Sequence, residues 1–295
     1  MAKNKGSQIE IGIIGGTGLY EIEAVKVVKT IKMKTPFGLS SSPILIGDLK
    51  GTRMAFLARH GKGHSIPPTH VNSCANIYAL KSLGVRHIIG VGATGSLKEE
   101  IAPTNIVIPD QFLDRTKLRT NSFFGLGLVA HVSFNPPTCP NLSDLVSTCA
   151  EDLGFNVHRG GTYVCIEGPA FSTLAESMEY RKLGCSVIGM TALPEAKLAR
   201  EAEICYSTLA FATDYDVWKE GEEVSVEKVM NNLKISTNFA KQILLTAVER
   251  LAKVRKWDTP CPCVNALKNS IITNKKHMDK AIVKKLGIIV KKHIK

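Results

Sequence analysis

Residues 9–18 read Ile9-Glu10-Ile11-Gly12-Ile13-Ile14-Gly15-Gly16-Thr17-Gly18, an apolar run that breaks off into glycines. Ile9–Ile14 reads as a strand buried on both faces. The glycines behind it free backbone N–H groups to approach an anion, and Thr17 adds a hydroxyl donor. The design recurs at Arg86–Val91, which runs into the small-residue loop Gly92-Ala93-Thr94-Gly95-Ser96. Further strands are expected at Pro43–Ile46, Met54–Leu57, Asn105–Ile108, Tyr163–Ile166, Ser186–Ile188 and Ile204–Ala212. Helices are expected at His70–Leu83 and Leu142–Leu153, closed by Gly84 and Gly154, and at Leu193–Glu203 and Val226–Lys253. Buried strands with helices between them imply an α/β fold, a mixed β-sheet flanked by helices. No linker or repeat divides the chain. One domain is expected over 8–256, with 257–295 as a cysteine-containing, lysine-rich extension.

The chain has 295 residues, 44% of them hydrophobic, enough for a sizeable core. No apolar run reaches the roughly 18 residues of a membrane span. The lysine-bearing N-terminus is no signal peptide, so a cytoplasmic protein is expected. The formal net charge is +12. Much of the excess sits in the tail, between Lys275 and Lys295. No aromatic residue interleaves these lysines as a single-strand nucleic-acid binder requires, so they read as a solvated face. Eight cysteines do not make a disulfide scaffold in a chain of this size. Cys165, Cys185 and Cys205 read as small core residues. Cys261 and Cys263 form a C-P-C pair with no second cluster at zinc spacing, so no metal site is expected.

Several motifs carry chemistry. Ala58-Arg59-His60-Gly61-Lys62-Gly63-His64 joins a guanidinium fork suited to phosphate oxygens, an imidazole donor and two glycines that let the loop close. The glycine loops match neither the dinucleotide fingerprint nor the P-loop pattern. Phe171, in Glu167-Gly168-Pro169-Ala170-Phe171-Ser172-Thr173, is a candidate stacking surface. Asp214 and Asp216, in Ala212-Thr213-Asp214-Tyr215-Asp216, share one side of an extended chain. Paired acids suit general-acid work when burial or a neighbour raises one pKa; an Asx turn is the structural alternative.

In order and spacing, GIIGGTGLY, TPFG, ARHGKGH, VNSCANIYAL, IPDQFLDRT, IEGPAFST, GMTALPEAKLA and ATDYDVWKE resemble the methylthioadenosine phosphorylases, in the trimeric branch of the purine nucleoside phosphorylases. The resemblance runs from about Ile11 to Leu251. It implies phosphorolysis of S-methyl-5'-thioadenosine to adenine and 5-methylthioribose 1-phosphate, a salvage reaction. Phosphate is then a co-substrate, no metal or organic cofactor is needed, and the assembly is a homotrimer or a dimer of trimers. The phosphate site is implied at Thr17, Arg59, His60, Gly92, Ala93 and Thr191. Adenine is implied at Phe171, Asp214 and Asp216, and ribose at Met190. Ser172 and Val226 match specificity positions, Val229 and Met230 the methylthio wall, and His131 a residue reaching the neighbouring subunit's pocket.

Three departures stand out. Gly92 lies where members usually carry a hydroxyl, Ala170 and Leu174 where arginines are common, and Arg200 where disulfide-rich archaeal relatives have cysteine. Cys139 and Cys205 match positions that are joined in those relatives, and Cys261 and Cys263 match their tail pair. Four free thiols are the plainer expectation. Two other functions compete. A purine nucleoside phosphorylase acting on adenosine, inosine or guanosine is the nearer, although a 6-oxopurine site places an amide where Asp214 stands. A non-catalytic nucleotide- or RNA-binding protein fits the basic tail but leaves the paired acids unexplained.

Overall fold

The computed structural model describes residues 9–20, 22–222, 226–254, 257 and 261–294, and the side chains of Thr17, Val226 and Val229 lie outside the described set. In chain order the elements are β1 (Ile11–Gly15), β2 (Lys26–Ile31), β3 (Lys34–Thr35), β4 (Gly38–Leu39), β5 (Ile44–Leu49), β6 (Thr52–Ala58), α1 (Ser73–Ser82), β7 (His87–Ser96), β8 (Ile106–Ile108) and β9 (Gln111–Arg115). Then follow α2 (Pro140–Asp152), β10 (Val157–Arg159), β11 (Thr162–Ile166), α3 (Leu174–Lys182), β12 (Val187–Gly189), α4 (Ala192–Glu201), β13 (Cys205–Asp214), α5 (Val226–Leu251) and α6 (Lys280–Leu286).

All five residues of β1 are buried, as its sequence requires. It pairs in parallel with β6 on one side and β7 on the other, and β13 lies parallel to β7. The order β13-β7-β1-β6 therefore brings four carboxyl ends to one edge of the sheet. Ligands gather at such an edge in α/β proteins. Antiparallel pairs at β8, β5 and β2 make the sheet mixed, and β12, β11 and β9 branch from the end of β7.

The segment Gly92–Ser96 is not a loop. Gly92, Ala93 and Thr94 keep register with Ala210, Phe211 and Ala212 of β13, and Gly95 and Ser96 pair with β12. Its small residues mark close approach rather than a turn. A Cβ on Gly95 would stand 3.0 Å from Asp214 Oδ1, and one on Gly90 only 2.5 Å from the Tyr206 hydroxyl oxygen. The glycines after α1 and α2 act as expected. Gly84 and Gly154 adopt φ of 98° and 79°, the left-handed conformation that ends a helix.

One core packs α1 and α4 against the sheet, and a second packs α2 and α5 against its other face. The region after Trp257 does not stand apart. Leu267, Leu286, Ile289 and Val290 are buried in the same core as Ile77 and Leu80 of α1. Its lysines are partly employed too: Lys285 sits over the Phe37 ring and Lys292 reaches Glu203. Among the described residues, no helix is long and apolar enough to cross a membrane.

Candidate active site

The carboxyl edge collects most of the candidate residues. β6 ends directly before Arg59 and His60, β7 carries Gly92 and Ala93, and β13 ends on Asp214. Thr191 and Met190 follow β12 and arrive from the branch. A Cβ on Gly92 would meet Thr191 Oγ1 at 3.0 Å, and one on Gly95 would touch both Asp214 and Asp216. Strand β7 thus joins an anion end to an acid end over three residues, roughly 10 Å.

At the anion end, Arg59 is 3% exposed. Its Nε donates to Glu195 Oε1 at 2.5 Å and its Nη2 to Glu195 Oε2 at 3.1 Å. Nη1 donates to Val91 O and Nη2 also to Ile14 O. Tyr206 adds a hydroxyl donor to Glu195 at 3.1 Å. Burial pushes the guanidinium pKa down, but Glu195 outweighs it and holds Arg59 charged. The guanidinium read from the sequence as a fork for phosphate oxygens is thus mostly occupied within the protein. Four of the five guanidinium N–H groups are engaged, leaving one for an anion.

His60 is corrected too. Burial, then Arg59, lowers its pKa to about 4, so the ring is neutral near pH 7. Nδ1 lies 2.8 Å from Ile66 O, which only accepts, so Nδ1 carries the proton. Nε2 is then an acceptor, fit for the P–OH of hydrogen phosphate rather than for a bare phosphate oxygen. Gly61 and Gly63, at φ of 71° and 69°, make the bend that the loop reading anticipates. Thr191 precedes α4 with its side chain making no cap hydrogen bond, which leaves the hydroxyl for a ligand. Arg59, His60, Met190, Thr191 and Glu195 line one narrow cleft.

At the acid end, β13 stops at Asp214 and does not continue extended. Asp216 has φ of 52°, and its N–H donates to Asp214 Oδ1 at 2.8 Å. The two acids therefore meet through an Asx-type turn, not on one face of a strand. Thr213 Oγ1 donates to Asp214 Oδ2 at 2.7 Å. Burial still raises the Asp214 pKa against both bonds. Burial, with the Asp214 charge added, also raises that of Asp216. Asp214 walls a cavity of about 310 Å³ with Thr213, Tyr215 and Asn232. Asp216 Oδ2 and Ser172 Oγ are buried without a hydrogen-bond partner among the described residues. Buried polar atoms left this way suit a site that a ligand completes.

The remaining candidates are more dispersed. Phe171 is 58% exposed before α3, and Met230 is exposed on α5. His131 is exposed on a strip whose N–H donates to Ser270 O of the tail. Sequence reasoning missed Arg119. It donates to Met190 O, Leu193 O, Ile166 O, Glu167 O and Glu167 Oε1, and so holds the Met190–Thr191 turn against the end of β11. Burial pushes the Glu167 pKa up, yet the Lys117 and Leu118 N–H groups, Thr69 and Arg119 hold it down at about 2. Asn232 was also missed; it bonds Thr213 O at 2.7 Å and ties α5 to the end of β13. No local pattern marks either residue, because their partners lie far along the chain.

The cysteines form no disulfide, and the expectation that they build no cluster is overturned. All eight are free. The sulfurs of Cys139, Cys205, Cys261 and Cys263 lie within 4.8 Å of one another.

A family model described as the phosphorylase superfamily matches residues 10–249. The S-methyl-5'-thioadenosine phosphorylase of Geobacter sulfurreducens is 51% identical over 96% of this chain and 99% of that protein. That of Koribacter versatilis is 49% identical over 97% of each. A crystal structure of a methylthioadenosine phosphorylase from an antarctic soil metagenomic library superimposes with a TM-score of 0.91, at 43% identity over 96% of this chain and 99% of that one. The Schistosoma mansoni methylthioadenosine phosphorylase in complex with adenine gives a TM-score of 0.80, at 36% identity over 84% and 93%. The chain belongs to the phosphorylase superfamily.

Proposed function

We propose, with membership of that superfamily as the premise, that the chain cleaves S-methyl-5'-thioadenosine with inorganic phosphate, releasing adenine and 5-methylthioribose 1-phosphate. The observation that carries this is Asp214, a carboxyl raised by burial on the wall of a cavity at the carboxyl edge of the sheet. Adenine is a poor anionic leaving group, and a carboxylic acid facing its N7 makes it a neutral one. The names of the relatives point to the same substrate.

In this scheme the bond to the purine weakens as the sugar takes on oxocarbenium character. Asp214 gives its proton to N7, and phosphate shields the developing cation and then attacks the anomeric carbon. Phosphate takes the Thr191 hydroxyl, the last Arg59 N–H and the acceptor nitrogen of His60. No metal or organic cofactor enters the reaction. We also assign His131 to a neighbouring copy's pocket, in a trimer or a dimer of trimers; sedimentation of the native protein tests the assembly. Turnover of methylthioadenosine and inosine at saturating phosphate tests the substrate. Methylthioadenosine is expected to be the better substrate, and preference for inosine would assign a 6-oxopurine enzyme.

A further inference from the structure

We propose that Cys139, Cys205, Cys261 and Cys263 form a structural tetrathiolate site for Zn²⁺ that fastens the C-terminal segment to the core. The four residues come from three separate places. Cys139 stands at the N-cap of α2, Cys205 opens β13, and Cys261 and Cys263 flank Pro262 at the turn Pro262–Asn265. Cys261 Sγ is 3.4 Å from Cys139 Sγ and 3.2 Å from Cys205 Sγ, so it is committed to neither as a disulfide partner. All four sulfurs fall within 4.8 Å. Four zinc–sulfur arms of about 2.3 Å set tetrahedral sulfur–sulfur edges of about 3.8 Å, inside the observed spread.

The surroundings suit a closed, anionic centre. Cys139, Cys205 and Cys263 are buried, as the ligands of a structural site are. Arg200, itself buried and bonded to Ser133 O and Pro136 O, places a cation near Cys263. Zn²⁺ and four thiols give a centre of charge 2− and release four protons to solvent, and the Arg200 cation offsets part of that charge. The segment so pinned carries Leu267, Leu286, Ile289 and Val290 into the core and holds the His131 strip.

The test is zinc content, read independently of activity. The full chain is expressed with zinc, purified under reducing conditions without chelator, and measured by mass spectrometry of the metal. About one zinc per chain is expected for the wild type and for Cys185→Ser, whose thiol lies outside the cluster. Cys263→Ser is expected to lose about tenfold or more of that content. Cobalt in place of zinc is expected to give the strong absorption of a tetrahedral thiolate centre. Reduced wild-type protein that holds no zinc and titrates all eight thiols on unfolding would overturn the proposal. So would a disulfide within the four in the purified wild type. The wild-type measurement decides even if Cys263→Ser fails to fold.

Discussion

Asp214 holds a balance between burial, which favours its protonated form, and two hydrogen bonds that favour the carboxylate. Asp214→Asn is expected to lower turnover of methylthioadenosine by about a hundredfold or more, the scale of one general acid. It should lose less on inosine, because an amide can bond O6. Unchanged adenine release would remove Asp214 from the reaction. Arg59 carries a different expectation. Arg59→Ala leaves Glu195 buried without its cation, a loss of about 3–5 kcal/mol. Denaturant unfolding should show it, with part recovered in Arg59→Ala/Glu195→Ala; a loss under about 1 kcal/mol would contradict the network. Gly92 reverses the effect that its sequence suggests. A threonine there adds the hydroxyl that Gly92 lacks, but its Cβ would meet Thr191 Oγ1 at 3.0 Å. Gly92→Thr is therefore expected to raise the phosphate requirement, and a lower one in a phosphate titration would sink this reading. The motifs name these residues; the Glu195 and Thr191 contacts that define their roles are visible only once the fold brings position 59 to 195 and position 92 to 191.

At the scale of elements, the buried strands were legible because both faces are apolar. β1, β6 and β13 fall within a few residues of their expected spans. β2 was missed because its Lys26–Thr30 stretch is exposed and carries no continuous apolar run. α3 was missed because little of it is buried, although Thr173 and Glu176 spell the capping box that starts it. Helix α4 ends on Glu201, which accepts from Ser122 Oγ and the Phe123 N–H. Burial pushes its pKa from 4.5 to about 7. The folded state thus binds this proton more tightly than the unfolded chain does. The stability it contributes is whole below pH 4.5 and is lost as pH rises through about 7, some 3 kcal/mol in all. Glu201→Gln mimics the protonated form. Its melting temperature is expected to gain on the wild type across that window, and a constant difference would contradict the assignment. Glu167 works in the opposite direction: held near 2, it contributes above pH 4.5 and fails as pH falls toward 2.

At the scale of the whole molecule, four parallel strands bring the Arg59–Thr191 end and the Asp214 end to one edge, roughly 10 Å apart along β7. The architecture was readable from alternating buried strands and helices, and the family from motifs that follow the chain. The thiolate cluster was not, because positions 139, 205 and 261 meet only after the tail folds back. The same holds for Arg119, whose carbonyl partners leave no mark in sequence. Phosphorolysis is tested most directly by supplying isotopically labelled phosphate with methylthioadenosine and following label and adenine together. Each adenine released is expected to leave one labelled sugar phosphate, with none formed when phosphate is withheld. Adenine released at the same rate without phosphate, with unlabelled free sugar as the product, would contradict it.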